Sequence, residues 1–551
     1  MSSSFISLLD KIRRATAETS EYEKGKRFEV LVQRYLQADP VYRERFSKVW
    51  RWVEWPYRGE FGDIGIDLVA KEAATDRYVA IQCKCYDNNH VLSERDVKTF
   101  FGALGMQWTT DNGRHDTFVS GMVVATCYYW SSNLLDMLHN QSIPCQHIEL
   151  GDLERAEHID WEALDKGILA SIKKNNLRDH QREAIDAVME GYQSGAERGK
   201  MIMACGTGKT FTALRLTEEY TQGKGCVLFL APSIALVSQS LREWMCQATC
   251  NLHPIAVCSD SQASSVHDLA DLSARDLPSP ATTNPKEIAA NYQKFKDSHL
   301  NVIFSTYQSL DKIIEAQSVG ALPEFDLTIC DEAHRTAGAS ALSEEGKLKD
   351  SDFRRVHDPD ILKSKKRLYM TATPKVYGDA VHEKAKQTEG VVLYDMNDTS
   401  VFGEELFNLP FSRAVREKLL TDYKVLVLCV DEEYVRELMH DELSTEHESG
   451  QYELDDAVKL VGCYNGLCKK MILGEKSDME DCALKNDAPC DPQSMDIHED
   501  DFRISDPAPM QRAVAFAGTI NASKLFTQMW GKVVERIRQD EFVITPPVLT
   551  I

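Results

Sequence analysis

The run Met203-Ala204-Cys205-Gly206-Thr207-Gly208-Lys209-Thr210 has the residue types of a phosphate cradle. Gly206, Thr207 and Gly208 are small enough for backbone N–H groups to close on phosphate oxygens, and a helix starting here adds the positive end of its dipole. Lys209 would reach the outer phosphates of a nucleotide, and Thr210 would offer its hydroxyl to magnesium. Met203 stands where the general pattern has its first glycine. The other half of such a site needs a carboxylate for the metal and a group to orient water, and Asp331-Glu332-Ala333-His334 supplies both. Asp331 is assigned to the metal, Glu332 to the water, and His334 to the same nucleotide cluster.

A second group has different chemistry. Ile64–Val69 and Tyr78–Cys85 alternate as strands on either side of Ala74-Thr75 and read as a hairpin. A turn centred there brings Asp67 opposite Gln82, with Lys84 two residues on. Gln82 and Lys84 then share one face, while Ile81, Cys83 and Cys85 share the other, apolar face as packing residues. Asp67 and the Gln82 amide oxygen are hard donors suited to magnesium, and the Lys84 ammonium would stabilise charge developing on a phosphate. The chemistry implied is phosphodiester hydrolysis.

The elements that must position these groups are of two kinds. Phe28, Leu31, Val32, Tyr35 and Leu36 recur at helical spacing within 22–36, so the first region mixes a helix with strands. From about Leu177 the pattern becomes apolar strand, turn, helix, with strands at Met201–Ala204, Cys226–Ala231, Val302–Ser305, Leu327–Cys330 and Arg367–Thr371. That is a parallel sheet wrapped by helices. The phosphate loop precedes the helical run Phe211–Tyr220. Asp331 and Glu332 follow a strand at its carboxyl end, where such sheets bind ligands. Further strands are expected at Lys424–Val430 and at Ala513–Ala517, the latter opening a new α/β unit.

A chain of 551 residues with 43% hydrophobic content can bury three or four cores. No stretch approaches eighteen apolar residues and the N-terminus lacks an apolar signal core, which reads as a soluble cytoplasmic protein with no membrane partner. The 15 cysteines are scattered, as reduced thiols are. Cys463, Cys468, Cys482 and Cys490 have spacings that fit no standard zinc knuckle. A net charge of -23 argues against a polyanionic partner until its distribution is considered. About 22 acidic and 7 basic residues fall in 431–506, a solvated acidic insertion, which leaves room for a basic groove elsewhere.

Leu177-Arg178-Asp179-His180-Gln181, the phosphate loop, Ala231-Pro232-Ser233, Ser305-Thr306-Tyr307-Gln308, Asp331 to His334 and Thr371-Ala372-Thr373 occur in the order of the superfamily two helicases and translocases, which residues 177–430 resemble. The resemblance implies that ATP is the nucleotide and that Gln181 reads its adenine. It implies that Ser233, Thr306, Tyr307 and Gln308 touch a nucleic-acid backbone, and that Thr371, Ala372 and Thr373 couple hydrolysis to strand movement. Gly62-Asp63-Ile64-Gly65-Ile66-Asp67 followed by Gln82-Cys83-Lys84 resembles the Mrr-like branch of the restriction-endonuclease superfamily, in which glutamine replaces the usual acid. That resemblance adds Glu29 as the helical acid, one turn before Val32.

With the segments Asp395–Gly403 and Leu420–Val425, the chain as a whole resembles the N-terminal portion of single-polypeptide Type I (Type ISP-like) restriction-modification enzymes. The resemblance implies ATP and Mg2+ as cofactors, double-stranded DNA as partner, and a methyltransferase and target-recognition region in a longer polypeptide or partner chain. The sequence departs from it in lacking an Asn-Pro-Pro-Tyr motif and an arginine-bearing motif after the last expected strand. The fold expected is α/β: a restriction-endonuclease-like domain at 1–160, a first RecA-like motor domain at 161–400, a connecting region with the acidic insertion at 401–506, and an incomplete second RecA-like domain at 507–551. The function expected is ATP-dependent translocation coupled to Mg-dependent cleavage of DNA. The alternative is a DNA- and ATP-binding nuclease module without motor activity.

Overall fold

A computed structural model describes residues 4–16, 21–111, 113–169, 172–258, 277–342, 348–349, 352–378, 381–383, 391–422, 435–436, 454–467, 526–527 and 529–534. The chain divides into two compact units, Met1–Thr421 and Asp422–Ile551.

The first unit opens with a five-stranded sheet whose strands lie in chain order: β1 (Phe46–Arg51), β2 (Leu68–Glu72), β3 (Tyr78–Lys84), β4 (Ser120–Ala125) and β5 (Cys145–Ile148). The first three pair antiparallel and the last three parallel. Helix α1 (Glu21–Ala38) covers one face, where Phe28, Leu31, Val32, Tyr35 and Leu36 meet Leu68, Ile81, Met122 and Val124. After the short α2 (Pro40–Arg45), α3 (Glu94–Leu104) covers the other face with Val97 and Phe100 against Val69, Ala80 and Val123. Period-two alternation along β2 and β3 feeds both layers at once.

A seven-stranded parallel sheet follows. Its strands are β6 (Arg198–Met203), β7 (Gly225–Ala231), β8 (Leu252–Val257), β9 (Leu300–Thr306), β10 (Phe325–Cys330), β11 (Ser364–Thr371) and β12 (Glu404–Leu409), in the order β8-β9-β7-β10-β11-β6-β12. Core side chains line both faces, which is why the central strands read as continuous apolar runs. Helices α4 (Asp179–Gln193), α5 (Lys209–Thr221) and α6 (Ile234–Gln247) pack on one of them.

The two edge strands differ from the sequence expectation. Leu252–Val257 contains Pro254, which an edge position tolerates because one side of the strand needs no ladder donor. Glu404–Leu409 falls in the region read as a connector, yet it pairs with β6, extending the seven-stranded sheet past residue 400. Its exposed Glu404, Glu405 and Asn408 against buried Phe407 and Leu409 give a half-buried edge pattern rather than an apolar run. Glycine also shortens the predicted Ile64–Val69 strand, which begins only at Leu68.

The two sheets of the first unit share a packed boundary. Val41, from α2, sits in the hydrophobic cluster of the seven-stranded sheet. Arg45 bonds Gln146 at 2.5 Å and Glu72 at 3.3 Å, Gln146 Nε2 donates to the Leu277 carbonyl at 2.7 Å, and Lys294 Nζ donates to Asp76 at 2.6 Å.

In the second unit, helix α7 (Leu454–Leu467) packs Val461 and Tyr464 with Met529, Trp530 and Val533. The strands expected at Lys424–Val430 and Ala513–Ala517 lie outside the described residues, as do Cys468, Cys482, Cys490 and most of the acidic insertion. Among the described residues no helix is long and apolar enough to cross a membrane.

Candidate nuclease and nucleotide sites

A glycine turn determines where Asp67 goes. Gly65 has φ +86°, and a Cβ there would lie 2.5 Å from Thr99 Oγ1, so only glycine fits. Asp63 Oδ1 accepts from Gly65 N at 3.0 Å, and Trp52 clamps the loop by donating Nε1 to the Gly62 carbonyl at 2.8 Å. Beyond the turn, Asp67 N donates to Ile81 O at 2.9 Å and its Oδ2 accepts from Cys83 N at 2.7 Å. The carboxylate is thereby held beside Gln82, which is 2% exposed.

The electrostatics of this corner favour a cation. Burial pushes the Asp67 carboxyl up to about 6; the Cys83 N–H opposes that, the Glu29 charge adds to it, and Lys84 lowers it. Gln82 Oε1 is buried with no hydrogen-bond partner among the described residues. An ionised carboxylate and an orphaned amide oxygen are the hard donors that magnesium takes, so Asp67 and Gln82 fit that ion. No group of three His, Cys, Asp or Glu is placed to cage a metal among the described residues, which makes the amide oxygen essential to the fit. Cys83 and Cys85 pack against the α1 layer, and burial drives the Cys83 thiol well above its ordinary range. Glu29 reaches the corner from α1, 8% exposed, and Lys26 Nζ contacts its Oε2 at 3.0 Å. Sequence reading passed over Lys26, whose one signal is its three-residue spacing from Glu29.

The nucleotide site is assembled from the carboxyl ends of β6, β10 and β11. The loop after β6 turns through Gly206 and Gly208, both with positive φ, into α5. Lys209 Nζ lies 3.4 Å from the Met203 carbonyl and 3.8 Å from Glu332 Oε1. Glu332 is in the left-handed region at φ +48°, a conformation non-glycine residues adopt at functional corners. Burial and then the Glu332 charge push Asp331 up to about 6, opposed by Lys209. His334 Nδ1 is 3.0 Å from Thr371 Oγ1 and 3.3 Å from Glu332 Oε2, and burial lowers its pKa. Thr371 Oγ1 in turn bonds the Thr373 backbone, and Ala372 lies between them, half-buried.

Gln181 and its neighbour act on the loop from α4. Gln181 accepts from Arg178 N at 3.0 Å and donates Nε2 to the Thr207 carbonyl at 3.2 Å, where His180 Nε2 also converges at 3.0 Å. A Cβ on Gly208 would lie 2.5 Å from Gln181 Nε2. Thr207 Oγ1 donates to Ala204 O at 2.7 Å, and Trp244 Nε1 donates to the Thr210 carbonyl at 3.1 Å. His180 and Trp244 carried no sequence signal, because one is a helix residue and the other an apolar core position.

The four residues expected to touch a nucleic-acid backbone separate. Ser233 is exposed and caps α6 by accepting from Leu236 N at 3.3 Å, and Gln308 is exposed. Thr306 and Tyr307 are buried, with Tyr307 OH donating to the Asp331 carbonyl at 2.8 Å and Thr306 Oγ1 donating to Ser309. Their side chains support the site instead of facing solvent.

Residues 37–170 match the family described as restriction endonuclease, and residues 174–376 match the family described as Type III restriction enzyme, res subunit. The ATP-dependent Type ISP restriction-modification enzyme LlaBIII, solved bound to DNA, superposes with a TM-score of 0.72 at 32% identity, over 96% of this chain and 31% of that one. A probable helicase, A859L of African swine fever virus, is 29% identical over 45% of this chain and 25% of its own length. The Type I restriction enzyme EcoAI endonuclease subunit of Escherichia coli is 23% identical over 46% of this chain and 24% of its own. The chain thus joins a restriction-endonuclease domain to a helicase domain and spans about a quarter to a third of the proteins it resembles. Glu29 precedes the matched endonuclease segment, so its place at the site rests on the packing of α1.

Proposed function

We propose that this chain is the cutting and motor portion of an ATP-dependent restriction enzyme acting on double-stranded DNA. The observation that carries the reading is the joining, in one compact unit, of the Asp67–Gln82 corner to a nucleotide site completed by Lys209, Glu332 and His334. LlaBIII, a DNA-bound and ATP-dependent enzyme of the same architecture over almost this whole chain, supports it.

In the motor, the backbone of 204–208 and Lys209 hold the ATP phosphates, and Thr210 and Asp331 are the residues that would hold Mg2+. Bound there, magnesium neutralises charge on the outer phosphates. Glu332 orients the attacking water, and His334 carries the state of that carboxylate to Thr371 and on to Thr373. Gln181 holds adenine while bracing Thr207. Ser233 and Gln308 contact the DNA backbone. Thr306 and Tyr307 keep those segments and Asp331 in place. In the nuclease, Asp67 and Gln82 would hold Mg2+, Glu29 adds the second carboxylate, and Lys84 stabilises the scissile phosphate.

The test is ATP hydrolysis with and without duplex DNA, in the unaltered chain and in Lys209→Ala. Stimulation by DNA that Lys209→Ala abolishes is expected. Absence of stimulated turnover in the unaltered chain would limit the polypeptide to binding, and the motor would then require the rest of a longer protein.

A further inference from the structure

We propose that Lys26 is a built-in counter-ion of the nuclease corner, holding the Glu29 carboxylate in the absence of metal and thereby setting how tightly a divalent cation binds. The inference rests on reading Asp67 and Gln82 as a cation site. Glu29 is 8% exposed and its carboxylate contacts Lys26 Nζ at 3.0 Å. Lys26 is also close enough to Asp67 for their charges to interact. The Glu29 and Asp67 charges therefore interact, Gln82 with its orphaned, 2% exposed amide carbonyl stands across the hairpin from Asp67, and Lys26 and Lys84 are the cations at hand.

The two lysines differ in how they are held. Lys84 belongs to a central strand of the sheet, paired with β4. Lys26 stands one helical turn before Glu29 with 38% of its side chain exposed, on a flexible four-carbon stem. A divalent ion entering beside Asp67 brings the positive charge that Lys26 supplied, so the ammonium can swing to water without stranding Glu29. The cation must therefore compete with an internal charge, which lowers its affinity. The corner then fills only when metal is plentiful, and a free carboxylate pair never faces the rest of the protein uncompensated.

The experiment measures Mn2+ binding to the full, nucleotide-free chain by titration calorimetry, for the unaltered protein, Lys26→Met, Lys26→Arg and Asp67→Ala. Lys26→Met should bind Mn2+ severalfold more tightly, because Glu29 is left for the ion, and Lys26→Arg should keep the original affinity. Equal affinity in Lys26→Met and the unaltered chain, with binding lost in Asp67→Ala, overturns the counter-ion role and leaves the site standing. Weaker binding in Lys26→Met overturns it as well. Binding that survives Asp67→Ala unchanged refutes the cation site itself. A metal-free melting curve for each variant separates loss of folding from loss of binding.

Discussion

His334 Nδ1 and Thr371 Oγ1 stand 3.0 Å apart, joining the ends of two neighbouring strands of the motor sheet. The same imidazole nitrogen is 3.3 Å from Glu332. One ring thus touches both Glu332, the carboxylate proposed to orient water, and Thr371, which bonds the Thr373 backbone, the contact through which we propose that the two are coupled.

Thr371→Val keeps the volume of that side chain and removes the hydroxyl. Nucleotide affinity should stay within about twofold, while DNA-stimulated turnover falls by roughly tenfold, the scale of one lost hydrogen bond of about 1.4 kcal/mol. Steady-state ATPase assays with and without duplex measure both. An equal loss of basal and stimulated rates would remove the coupling role.

Gly65→Ala forces a Cβ to within 2.5 Å of Thr99 Oγ1 at a φ of +86°. The endonuclease domain should lose about 1–3 kcal/mol. Thr99→Ala or Thr99→Ser does not restore it, because the Phe100 backbone N would also lie 3.0 Å away. Urea unfolding followed by tryptophan fluorescence reports the change, since Trp52 clamps this loop.

Asp67→Asn should abolish DNA cleavage and yet stabilise the metal-free chain. The carboxyl is raised from 3.8 to about 6, so the folded state favours its protonated form. That contribution is complete below pH 3.8, is lost as pH rises through about 6, and is absent at pH 7. The asparagine variant should accordingly gain up to about 3 kcal/mol over the unaltered protein at pH 7–8 and nothing near pH 4. Thermal melts in chelator across that range decide the sign, and a gain that does not depend on pH would assign it to packing.

On the proposed metal role of Asp67, cleavage by the unaltered protein should rise with pH through a midpoint near 6 at low magnesium, because the ionised carboxylate is the form a metal would bind. Raising the magnesium concentration should move the midpoint down, since bound metal favours the carboxylate. A midpoint insensitive to metal would place the titration on another group.

Much of both sites was legible because their chemistry needs particular residue types at short spacings. The loop from Gly206 to Thr210 and the pair Asp331 and Glu332 each lie within one strand-to-helix turn, where local sequence sets the backbone. Asp67 and Gln82 come together through a hairpin whose expected register assumes a turn centred on Ala74-Thr75, and the pairing of Leu68 with Ile81 agrees with it. Less local features were hidden. Val41 packs into the motor sheet from another domain, and Trp244 reaches the Thr210 carbonyl from a separate helix. Edge strands such as Leu252–Val257 carry proline and histidine because half of their surface escapes the ladder, so they lack an apolar signature.

By itself the sequence determined the order of the two domains and which residue types stand at short spacing as candidates for each chemistry, since these depend on residue type and local spacing. Only the tertiary structure decided which of them share a site and which way each side chain points. Burial turned Thr306 and Tyr307 inward, left Gln82 Oε1 without a partner and lifted two carboxyls to about 6. Those are effects of desolvation and of charges far apart in the chain, and neither exists until the sheets and helices have closed around them.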